Sequence, residues 1–395
     1  MTRNITKDIL YIGADEANLD LFESQYVVPE GMAYNSYLIK GSKTAIMDTV
    51  DSRVSEKWKA ALEEALGGTD PDYLVVHHME PDHSSVAGWV LDRWPGVKIV
   101  GSAKAIQLLG QFFEGVSLED RTIAVKDSDT LDLGGHTLVF RSAPMVHWPE
   151  VMVSFDTTDK VLFSADAFGK FGALSKCGFF ADEDEDWSCE ARRYYFNICG
   201  KYGAQVQALL KKLPSPAPEI ICPLHGPVIR KDLGQYISLY DTWSKYEPET
   251  EGIFIAYASI HGGTAAAALK LKEILIAKGA PKVSVADLSR DDQAEAVEDA
   301  FRYGTTVFAA ASYDAGVFPP MDAFLCHLRD KGWQKRRAAV LENGSWAPSA
   351  GRVIKEALSK MKEITLVGET VTIRSRLAQS DIPALEKLAD SILEK

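Results

Sequence analysis

The stretch from His78 to His83 holds four potential metal ligands within six residues, in the order His-Met-Glu-Pro-Asp-His. Crowding two imidazoles and two carboxylates into one loop has little structural benefit, so the pattern indicates a metal site. Glu80 indicates which metal. Three nitrogen donors on one ion suit zinc, whereas a mixture of imidazole and carboxylate suits iron or manganese better. The loop therefore favours redox chemistry over hydrolysis.

Three further candidate ligands each stand at the end of a separate apolar run: His147, Asp166 and His225. Taken singly, each could be an ordinary hydrogen-bonding residue at a strand end. Together with the loop they form a set that only folding can close. The carboxylate of Asp166 could bridge two metal ions about 3.5–4 Å apart, as in other two-metal sites. His77 and His136 fit no such pattern, and we interpret them as structural.

The chain has 395 residues and is too long for one ordinary domain. The polar, helix-breaking segment Ser244–Gly252 predicts a linker, which divides the chain into domains at 1–248 and 251–395. Before the linker, strands paired by turns and flanked by helices predict an αββα sandwich. After it, five strands alternate with helices, which predicts a doubly wound parallel sheet of α/β class. The predicted elements include a strand at Tyr34–Ile39, a helix at Glu190–Leu213 and a last strand at Glu363–Val367.

Composition argues against several classes of protein. The net charge of −13 disfavours nucleic acid or an anionic membrane surface as partner. The first residues lack an apolar core of signal-peptide length, and no later stretch could span a bilayer. The five cysteines are odd in number and form no Cys-x-x-Cys, which disfavours a disulfide framework or an iron–sulfur or rubredoxin-type centre. We expect a cytoplasmic protein whose redox centre is held by other residues.

Three loops beyond the linker, each at the end of a predicted strand, suggest a ligand site, because ligands bind at the carboxyl ends of strands in such sheets. The first loop is rich in small and hydroxyl residues that could hold a dianionic phosphate at a helix N-terminus. Trp346 offers a flat face for an isoalloxazine ring, although it could be an ordinary loop aromatic. The candidate residues are Ser259, Ile260, His261, Gly262, Gly263 and Thr264, then Ser312, Tyr313, Asp314, Ala315 and Gly316, and finally Asn343, Gly344, Ser345 and Trp346. No Gly-x-Gly-x-x-Gly supports nicotinamide binding.

These features resemble the flavodiiron proteins, also called A-type flavoproteins. The resemblance covers essentially the whole chain and rests on Val76–Ser84, His147–Pro149, Phe163–Gly169 and Pro223–Gly226. Zinc hydrolases of the metallo-β-lactamase fold carry His where this chain has Glu80. The resemblance implies a metallo-β-lactamase-like domain with two non-haem irons, followed by a flavodoxin-like domain with FMN.

The resemblance also implies a role for each site residue. One iron would be bound by His78, Glu80 and His147 and the other by Asp82 and His225, with Asp166 bridging. His83 matches a position that is usually not a ligand and would lie behind the ligands. Tyr194 and Tyr195 would line the pocket, although packing of an amphipathic helix explains them equally well. The phosphate loop departs from the commoner flavodoxin pattern at His261 and Gly263.

Counting electrons connects the two predicted cofactors. FMN and two ferrous ions together store four electrons, which is the number that reduces one dioxygen to two waters. Two electrons are enough to reduce two nitric oxide molecules to one nitrous oxide. The resemblance therefore implies an oxygen or nitric oxide reductase, and the sequence does not distinguish the two gases. The electron donor would be a separate molecule, such as rubredoxin, a reduced deazaflavin or a flavin reductase.

Two alternatives stay open. One is a dinuclear zinc hydrolase fused to a flavodoxin-like electron-transfer module, in which a metal-activated water attacks an ester or amide. Glu80 argues against it. The other is a pure electron carrier whose first domain only docks partners, which the complete ligand set disfavours.

We also expect the working unit to be a head-to-tail homodimer, or a dimer of such dimers. The metal ligands and the flavin loops are predicted beyond strand ends of different domains, and the linker Ser244–Gly252 is short. Two antiparallel copies could place each flavin beside the partner's irons. Isologous dimers are also the commonest oligomers.

Overall fold

The computed structural model describes residues 2–113, 115, 118–184, 186–214 and 216–394. Their contacts divide the chain into two compact units, Met1–Tyr195 with Ala204–Asp241 and Phe196–Gly203 with Thr242–Lys395. The second unit thus begins before the predicted linker. It also takes in Phe196–Gly203, which the sequence assigned to the first domain.

The first unit is built on two β-sheets. One has seven strands in the order β1-β2-β7-β8-β9-β10-β11, and the other has five in the order β12 to β16. Two small sheets pair β3 with β6 and β4 with β5. The strands are β1 Arg3–Asn4, β2 Ile9–Tyr11, β3 Ala14–Glu16, β4 Leu21–Phe22, β5 Tyr26–Val27, β6 Met32–Tyr34, β7 Tyr37–Lys40, β8 Thr44–Met47, β9 Tyr73–Val76, β10 Lys98–Ser102, β11 Thr122–Val125, β12 Thr130–Asp132, β13 Thr137–Ser142, β14 Met152–Asp156, β15 Val161–Phe163 and β16 Ile220–Cys222.

Helices accompany these sheets along the first part of the chain. They are α1 Ser55–Leu66, α2 Pro81–Ser84, α3 Ala87–Arg93, α4 Ala103–Phe112, α5 Leu174–Cys177, α6 Trp187–Ile198, α7 Gly203–Leu210 and α8 Leu233–Ser244. Single 3₁₀ turns lie at Ser52–Val54, Ala181–Glu183 and Gly200–Tyr202.

The core of the first unit lies between its two sheets. Met47 and Val75 of the larger sheet pack in one cluster with Phe140 and Phe163 of the smaller sheet. Burying such side chains contributes about 1.5–3 kcal/mol each relative to leaving them exposed. β15 and β16 are parallel neighbours, so their carboxyl ends lie at the same edge of the smaller sheet. This pairing brings two distant chain segments together beyond that edge.

The second unit is built on one sheet with parallel strands in the order β18-β17-β19-β21-β22. β23 is parallel to its neighbour β21, and the short β20 is antiparallel to its neighbour β19. α9 packs against α13, and α11 packs against both α10 and α12. The strands are β17 Thr250–Ala258, β18 Val283–Asp287, β19 Tyr303–Tyr313, β20 Gly316–Val317, β21 Arg336–Asn343, β22 Ile364–Leu366 and β23 Val371–Ile373. The helices are α9 Gly263–Ala277, α10 Gln293–Arg302, α11 Pro319–Asp330, α12 Ala350–Ser359 and α13 Ile382–Leu393, with a 3₁₀ turn at Gln379–Asp381.

The predicted helix Glu190–Leu213 is wrong in one respect, because it is interrupted between α6 and α7. Gly203 lies so close to another segment that a Cβ there would meet the carbonyl oxygen of Ser244 at 2.4 Å. Only glycine permits this approach, and the chain turns at this point to make it.

Among the described residues, no helix is long and apolar enough to cross a membrane.

The predicted strand Tyr34–Ile39 is also two strands, because Asn35 and Ser36 separate β6 from β7. Both polar residues are fully buried, and their side chains donate hydrogen bonds to backbone carbonyl groups elsewhere in the unit. The interruption therefore serves tertiary contacts that no local pattern reveals.

Candidate metal centre

The candidate ligands lie in loops and turns that follow strands. His78 comes just after β9, and Glu80 is the extended residue that precedes α2 (φ −59°, ψ 139°). Pro81 occupies the first turn of α2, where its fixed φ suits a helix start. Asp82 and His83 belong to the same single turn, and both are buried.

The remaining three ligands come from other loops: His147 lies between β13 and β14, Asp166 follows β15 and His225 follows β16. Ala165 adopts a left-handed conformation (φ 51°), and its carbonyl accepts a hydrogen bond from the N–H of Leu224 at 2.9 Å. This bond ties the Asp166 loop to the His225 loop.

Four side chains converge in a first donor group: His78, Glu80, His147 and Asp166. Glu80 Oε2 lies 3.2 Å from His78 Nε2 and 3.0 Å from His147 Nε2. Asp166 Oδ2 lies 3.4 Å and 3.2 Å from the same two nitrogens. The structure therefore brings together the ligands that the sequence assigned to one iron.

Three side chains converge in a second donor group: Asp82, His83 and His225. Asp82 Oδ2 lies 3.3 Å from His83 Nε2 and 3.2 Å from His225 Nε2, and the two nitrogens are 3.0 Å apart. The prediction that His83 lies behind the ligands disagrees with this geometry. The turn of α2 presents its Nε2 to the same point as the other two donors.

The carboxylate of Asp166 joins the two groups. Its Oδ2 faces the first group, while its Oδ1 lies 3.3 Å from His83 Nε2 and 3.9 Å from His225 Nε2. Donors about 2.0–2.2 Å from a shared ion lie about 2.8–3.6 Å apart. Most donor separations in both groups fall in this range, so the residues fit a pair of metal ions bridged by Asp166.

The outer ring nitrogens indicate where the inner lone pairs point. His78 Nδ1 lies 2.8 Å from Glu150 Oε1, and His225 Nδ1 lies 2.8 Å from the carbonyl oxygen of Ala33. Both partners can only accept, so each Nδ1 donates its proton. In the neutral form of each ring, Nε2 is therefore the nitrogen whose lone pair points toward the donor groups, which is the tautomer that metal-bound histidines adopt.

Unsatisfied oxygens support the same fit. Both carboxylate oxygens of Asp82 and Oδ1 of Asp166 are buried and have no hydrogen-bond partner among the described residues. Burying a carboxylate oxygen without a donor or a cation is costly. A bound cation would remove that cost at both residues.

Two residues that sequence reasoning missed hold the ligand loops. Asp48 Oδ1 accepts the N–H groups of His77 (2.7 Å) and His78 (3.3 Å), and Asp48 itself has a positive φ of 56°. Asn35 Nδ2 donates to the carbonyl groups of Pro223 (2.8 Å) and Gly226 (2.7 Å), on either side of the His225 loop. The polar pair Asn35-Ser36 within an apolar strand pattern signals an interruption of the strand, but not these contacts.

Carboxylates and imidazoles in the centre shift each other's pKa. Burial lowers the pKa of His147, but its hydrogen bonds to Asp166 and Glu80 outweigh burial and raise it to about 9. Burial raises the pKa of Glu80, but hydrogen bonds with His147 and His78 lower it to about 2. The pKa of His78 is likewise raised, because Asp166, Glu150 and Glu80 outweigh its burial. Without metal, the centre holds cationic imidazoles against anionic carboxylates.

The neighbouring aromatic and histidine residues have different surroundings. Tyr194 is buried with its ring centroid 5.7 Å from that of His225, whereas the ring of Tyr195 packs on Tyr240 at 5.1 Å. Only Tyr194 therefore has a ring contact with a candidate ligand among these pairs.

His77 uses both ring nitrogens in hydrogen bonds, to Asp48 and Ser154.

His136 forms a further group with Asp156 and Asp159. Its Nδ1 lies 3.0 Å from Asp156 Oδ2, which also accepts the N–H of Asp159 at 2.8 Å. These are the contacts of a buried hydrogen-bonded pair that closes the turn between β14 and β15.

The three loops predicted to hold a flavin follow β17, β19 and β21, which are parallel neighbours, so the loops lie at one edge of the sheet. The first loop leads into α9 at Gly263, and the N–H of Gly262 donates to Ser259 Oγ (3.1 Å). The second is a tight hairpin in which Asp314 and Ala315 have φ of 46° and 57°, as its turn type requires.

The side chains of these loops are unevenly exposed. Trp346 is 89% exposed, Tyr313 46% and Ile260 39%. Three exposed large apolar side chains at the same edge of the sheet are unusual and are typical of a binding site. Ser312 Oγ accepts the N–H groups of Ser349 (2.8 Å) and Ala350 (3.2 Å). Its hydroxyl therefore supports the start of α12, and only its proton remains for a ligand.

A fourth loop, which sequence reasoning missed, follows β23. Asn343 Nδ2 donates to the carbonyl oxygen of Ser375 (3.1 Å), and the N–H of Ser375 donates to Asn343 Oδ1 (3.1 Å). The hydroxyl groups of Ser375 and Ser345 are 2.8 Å apart. The β-branched run Val371–Ile373 was the available signal, but only one strand, Glu363–Val367, was expected there.

Comparison with known proteins identifies the class of fold. Residues 32–226 match the family model described as ODP family beta lactamase. Rubredoxin oxygen:oxidoreductase from Desulfovibrio gigas superposes with a TM-score of 0.93 at 25% identity, over 99% of this chain and 98% of that one. A variant of the flavo di-iron protein from Thermotoga maritima superposes with a TM-score of 0.88 at 25% identity, over 100% and 99%. The predicted fold class, a metallo-β-lactamase-like sandwich followed by a flavodoxin-like sheet, is confirmed.

Along its whole length, the chain is therefore similar to flavodiiron proteins. The anaerobic nitric oxide reductase flavorubredoxin of Aliivibrio fischeri is 29% identical over 382 residues, which are 93% of this chain and 75% of that protein. The chain spans only 42% of the length of a diflavin flavoprotein of Thermosynechococcus vestitus, to which it is 33% identical over 62% of its own length.

We predict that metal uptake by the metal-depleted protein releases protons at pH 7. The raised pKa values of His78 and His147 keep these imidazoles protonated there, and metal binding requires them neutral. The apparent affinity for Zn²⁺, used as a redox-inert probe, should rise with pH up to about 9, the pKa of His147. Calorimetric titrations in buffers of different ionisation enthalpy measure the release. Uptake without proton release at pH 7 would contradict the electrostatics described above.

Proposed function

We propose that this protein is a flavodiiron oxidoreductase that reduces dioxygen to water, nitric oxide to nitrous oxide, or both. The observation that carries the proposal is the position of Asp166 between two donor groups of mixed imidazole and carboxylate type. Such mixed sets suit iron better than zinc. The proposed ligands are His78, Glu80 and His147 for one iron and Asp82, His83 and His225 for the other, with Asp166 shared.

When bound, the two irons would supply gas binding and one-electron steps, and FMN would supply stored electrons. The protein side chains set the conditions for this chemistry. His78, His83, Asp166 and His225 are at most 1% exposed, so water is largely excluded from the ligands. Glu80, Asp82 and Asp166 neutralise cationic charge at a buried position. Glu150 and the Ala33 carbonyl keep two imidazoles in the tautomer that binds metal.

The FMN site is proposed at the edge formed by the three loops after β17, β19 and β21. Gly262, Gly263 and Thr264 begin the 15-residue helix α9, whose N-terminus suits a phosphate. Trp346 and Tyr313 offer exposed rings for the isoalloxazine. The remaining predicted contacts are Ser259, Ile260, His261, Ser312, Asp314, Ala315, Gly316, Asn343, Gly344 and Ser345, to which we add Ser375.

The names of the relatives point to both gases. One is an anaerobic nitric oxide reductase and another a rubredoxin oxygen:oxidoreductase. These 395 residues contain no Cys-x-x-Cys that could build a rubredoxin centre, so we propose an electron donor that lies outside them. Rubredoxin, a reduced deazaflavin and a flavin reductase are the candidates.

Metal and flavin analysis tests the proposal directly. Protein purified from its native host should carry about two iron atoms and about one FMN per chain, since each donor group suits one iron. When a reduced donor is supplied, it should also consume dioxygen, or nitric oxide in an assay from which dioxygen is excluded. Two zinc ions, no iron and hydrolytic activity would instead establish the hydrolase alternative.

A second prediction concerns Glu80→His, which restores the ligand pattern of the zinc hydrolases. Exchanging an oxygen donor for a nitrogen donor should shift the iron-to-zinc ratio of the purified protein toward zinc and lower the reductase turnover. The matched control is Glu64→His, an exposed residue of α1 outside both donor groups. Unchanged iron content and turnover in Glu80→His would mean that Glu80 does not select the metal.

A third prediction is that electrons pass between two chains of a head-to-tail homodimer. One chain carries Asp166→Asn, and the other carries Gly263→Val, whose Cβ would meet the carbonyl oxygen of Ser375 at 2.1 Å. Each parent should be inactive, and mixed dimers should regain activity because one intact FMN then faces one intact iron pair.

The control for the mixed dimer is Gly110→Val, on the exposed side of α4. Neither Gly263 nor Gly110 has a positive φ, and a Cβ at Gly110 meets nothing within 4 Å. This parent should keep its FMN and its activity. If subunit exchange between Asp166→Asn and Gly263→Val chains is demonstrated and no activity returns, electron transfer occurs within one chain.

A further inference from the structure

The two donor groups differ in what accepts the Nδ1 proton of one histidine in each, His78 and His225. His78 Nδ1 donates to the carboxylate of Glu150 (2.8 Å), whereas His225 Nδ1 donates to the neutral backbone carbonyl of Ala33 (2.8 Å). Glu150 is itself 2% exposed. One donor group therefore has a buried anion directly behind it, and the other has a dipole at the corresponding place.

The surroundings of Glu150 hold that anion in place. Its Oε1 also accepts the N–H of Met79 (2.9 Å), and its backbone carbonyl accepts a bond from Ser102 Oγ (2.9 Å). Its Oε2 is buried without a hydrogen-bond partner among the described residues. The ion pairs within 4 Å in the described chain connect this carboxylate to His78 alone. The charge of Glu150 is thus directed to one histidine.

When the Nδ1–H of a metal-bound imidazole donates to a carboxylate, the ring becomes more basic and its Nε2 becomes a stronger electron donor to the metal. The effect is larger in a buried site, where charges are poorly screened. Stronger donation stabilises ferric iron relative to ferrous iron. A neutral carbonyl, as behind His225, does this much less.

We propose that Glu150 is a positioning residue that makes the two irons inequivalent, so that the iron bound by His78 has the lower reduction potential. This inference rests on the proposed function, in which each iron takes up one electron from reduced FMN and passes from ferric to ferrous. The site of His78 is then reduced second and oxidised first.

Glu150→Gln tests the proposal, because the amide oxygen can still accept from His78 and Met79 while the charge is lost. Partners of metal-bound histidines typically contribute 10–100-fold to metal binding. If the affinity for ferric iron alone falls by this factor, the reduction potential of that iron rises by about 59–118 mV, because a tenfold change corresponds to about 59 mV for a one-electron step. In a redox titration of the holoprotein, the lower of the two iron potentials should rise by this amount and approach the upper one, which should stay unchanged.

The matched control is Asp156→Asn. Asp156 is also a fully buried carboxylate and lies 3.0 Å from the Nδ1 of a histidine, but that histidine, His136, belongs to neither donor group. This variant should leave both iron potentials unchanged. Equal movement of both potentials in Glu150→Gln, or movement of neither, overturns the proposal.

A second measurement separates this proposal from the proposed function. The metal-depleted wild type and Glu150→Gln are titrated with Co²⁺, which requires no redox step. The variant should lose 10–100-fold in affinity at one of two sites. If the native protein holds no iron, the proposed function fails and the Co²⁺ titration still decides on Glu150. Identical Co²⁺ affinities in a folded variant, or loss of both sites together, overturn the role of Glu150.

Discussion

The carboxylate of Asp166 is the contact on which the centre depends, because it presents one oxygen to each of two groups of donors. It reaches this position through the pairing of β15 with β16, which places the segments after both strands at one edge. The left-handed turn at Ala165 and its bond to Leu224 then fix the loop of Asp166 beside that of His225. The pairing of these two strands therefore determines where Asp166 lies relative to His225.

Holding so many ionisable groups out of water has a cost that the fold must offset. Three carboxylates and four imidazoles lie together in the two groups, and most are buried. In the metal-free chain His147 and Glu80 compensate each other as an ion pair, which explains the opposite shifts of their pKa values. Buried ion pairs of this kind contribute little to stability by themselves. Their arrangement is better explained by a cation that replaces the protons.

The sequence predicted best the ligands that lie within a few residues of each other. His78, Glu80 and Asp82 are close in sequence, so any fold keeps them close in space, and the two-domain fold class followed from strand and helix patterns. Residues that act from a distance were missed: Asn35 and Glu150 reach the site through tertiary contacts that leave no periodic signal.

The correction at His83 has the same origin as those omissions. Whether a residue one position beyond Asp82 faces the centre depends on the orientation of the single turn of α2. The backbone fixes that orientation through Thr49, whose N–H and hydroxyl both donate to the carbonyl oxygen of His83 (2.8 Å each). Neither composition nor spacing encodes this contact.

The central claim is that two irons share Asp166. Crystals of natively expressed protein, measured on both sides of the iron absorption edge, test it most directly. The account predicts two anomalous iron peaks, one beside His78, Glu80 and His147 and the other beside Asp82, His83 and His225, with Asp166 touching both. A single peak, two peaks that do not share Asp166, or a signal at the zinc edge alone would contradict it.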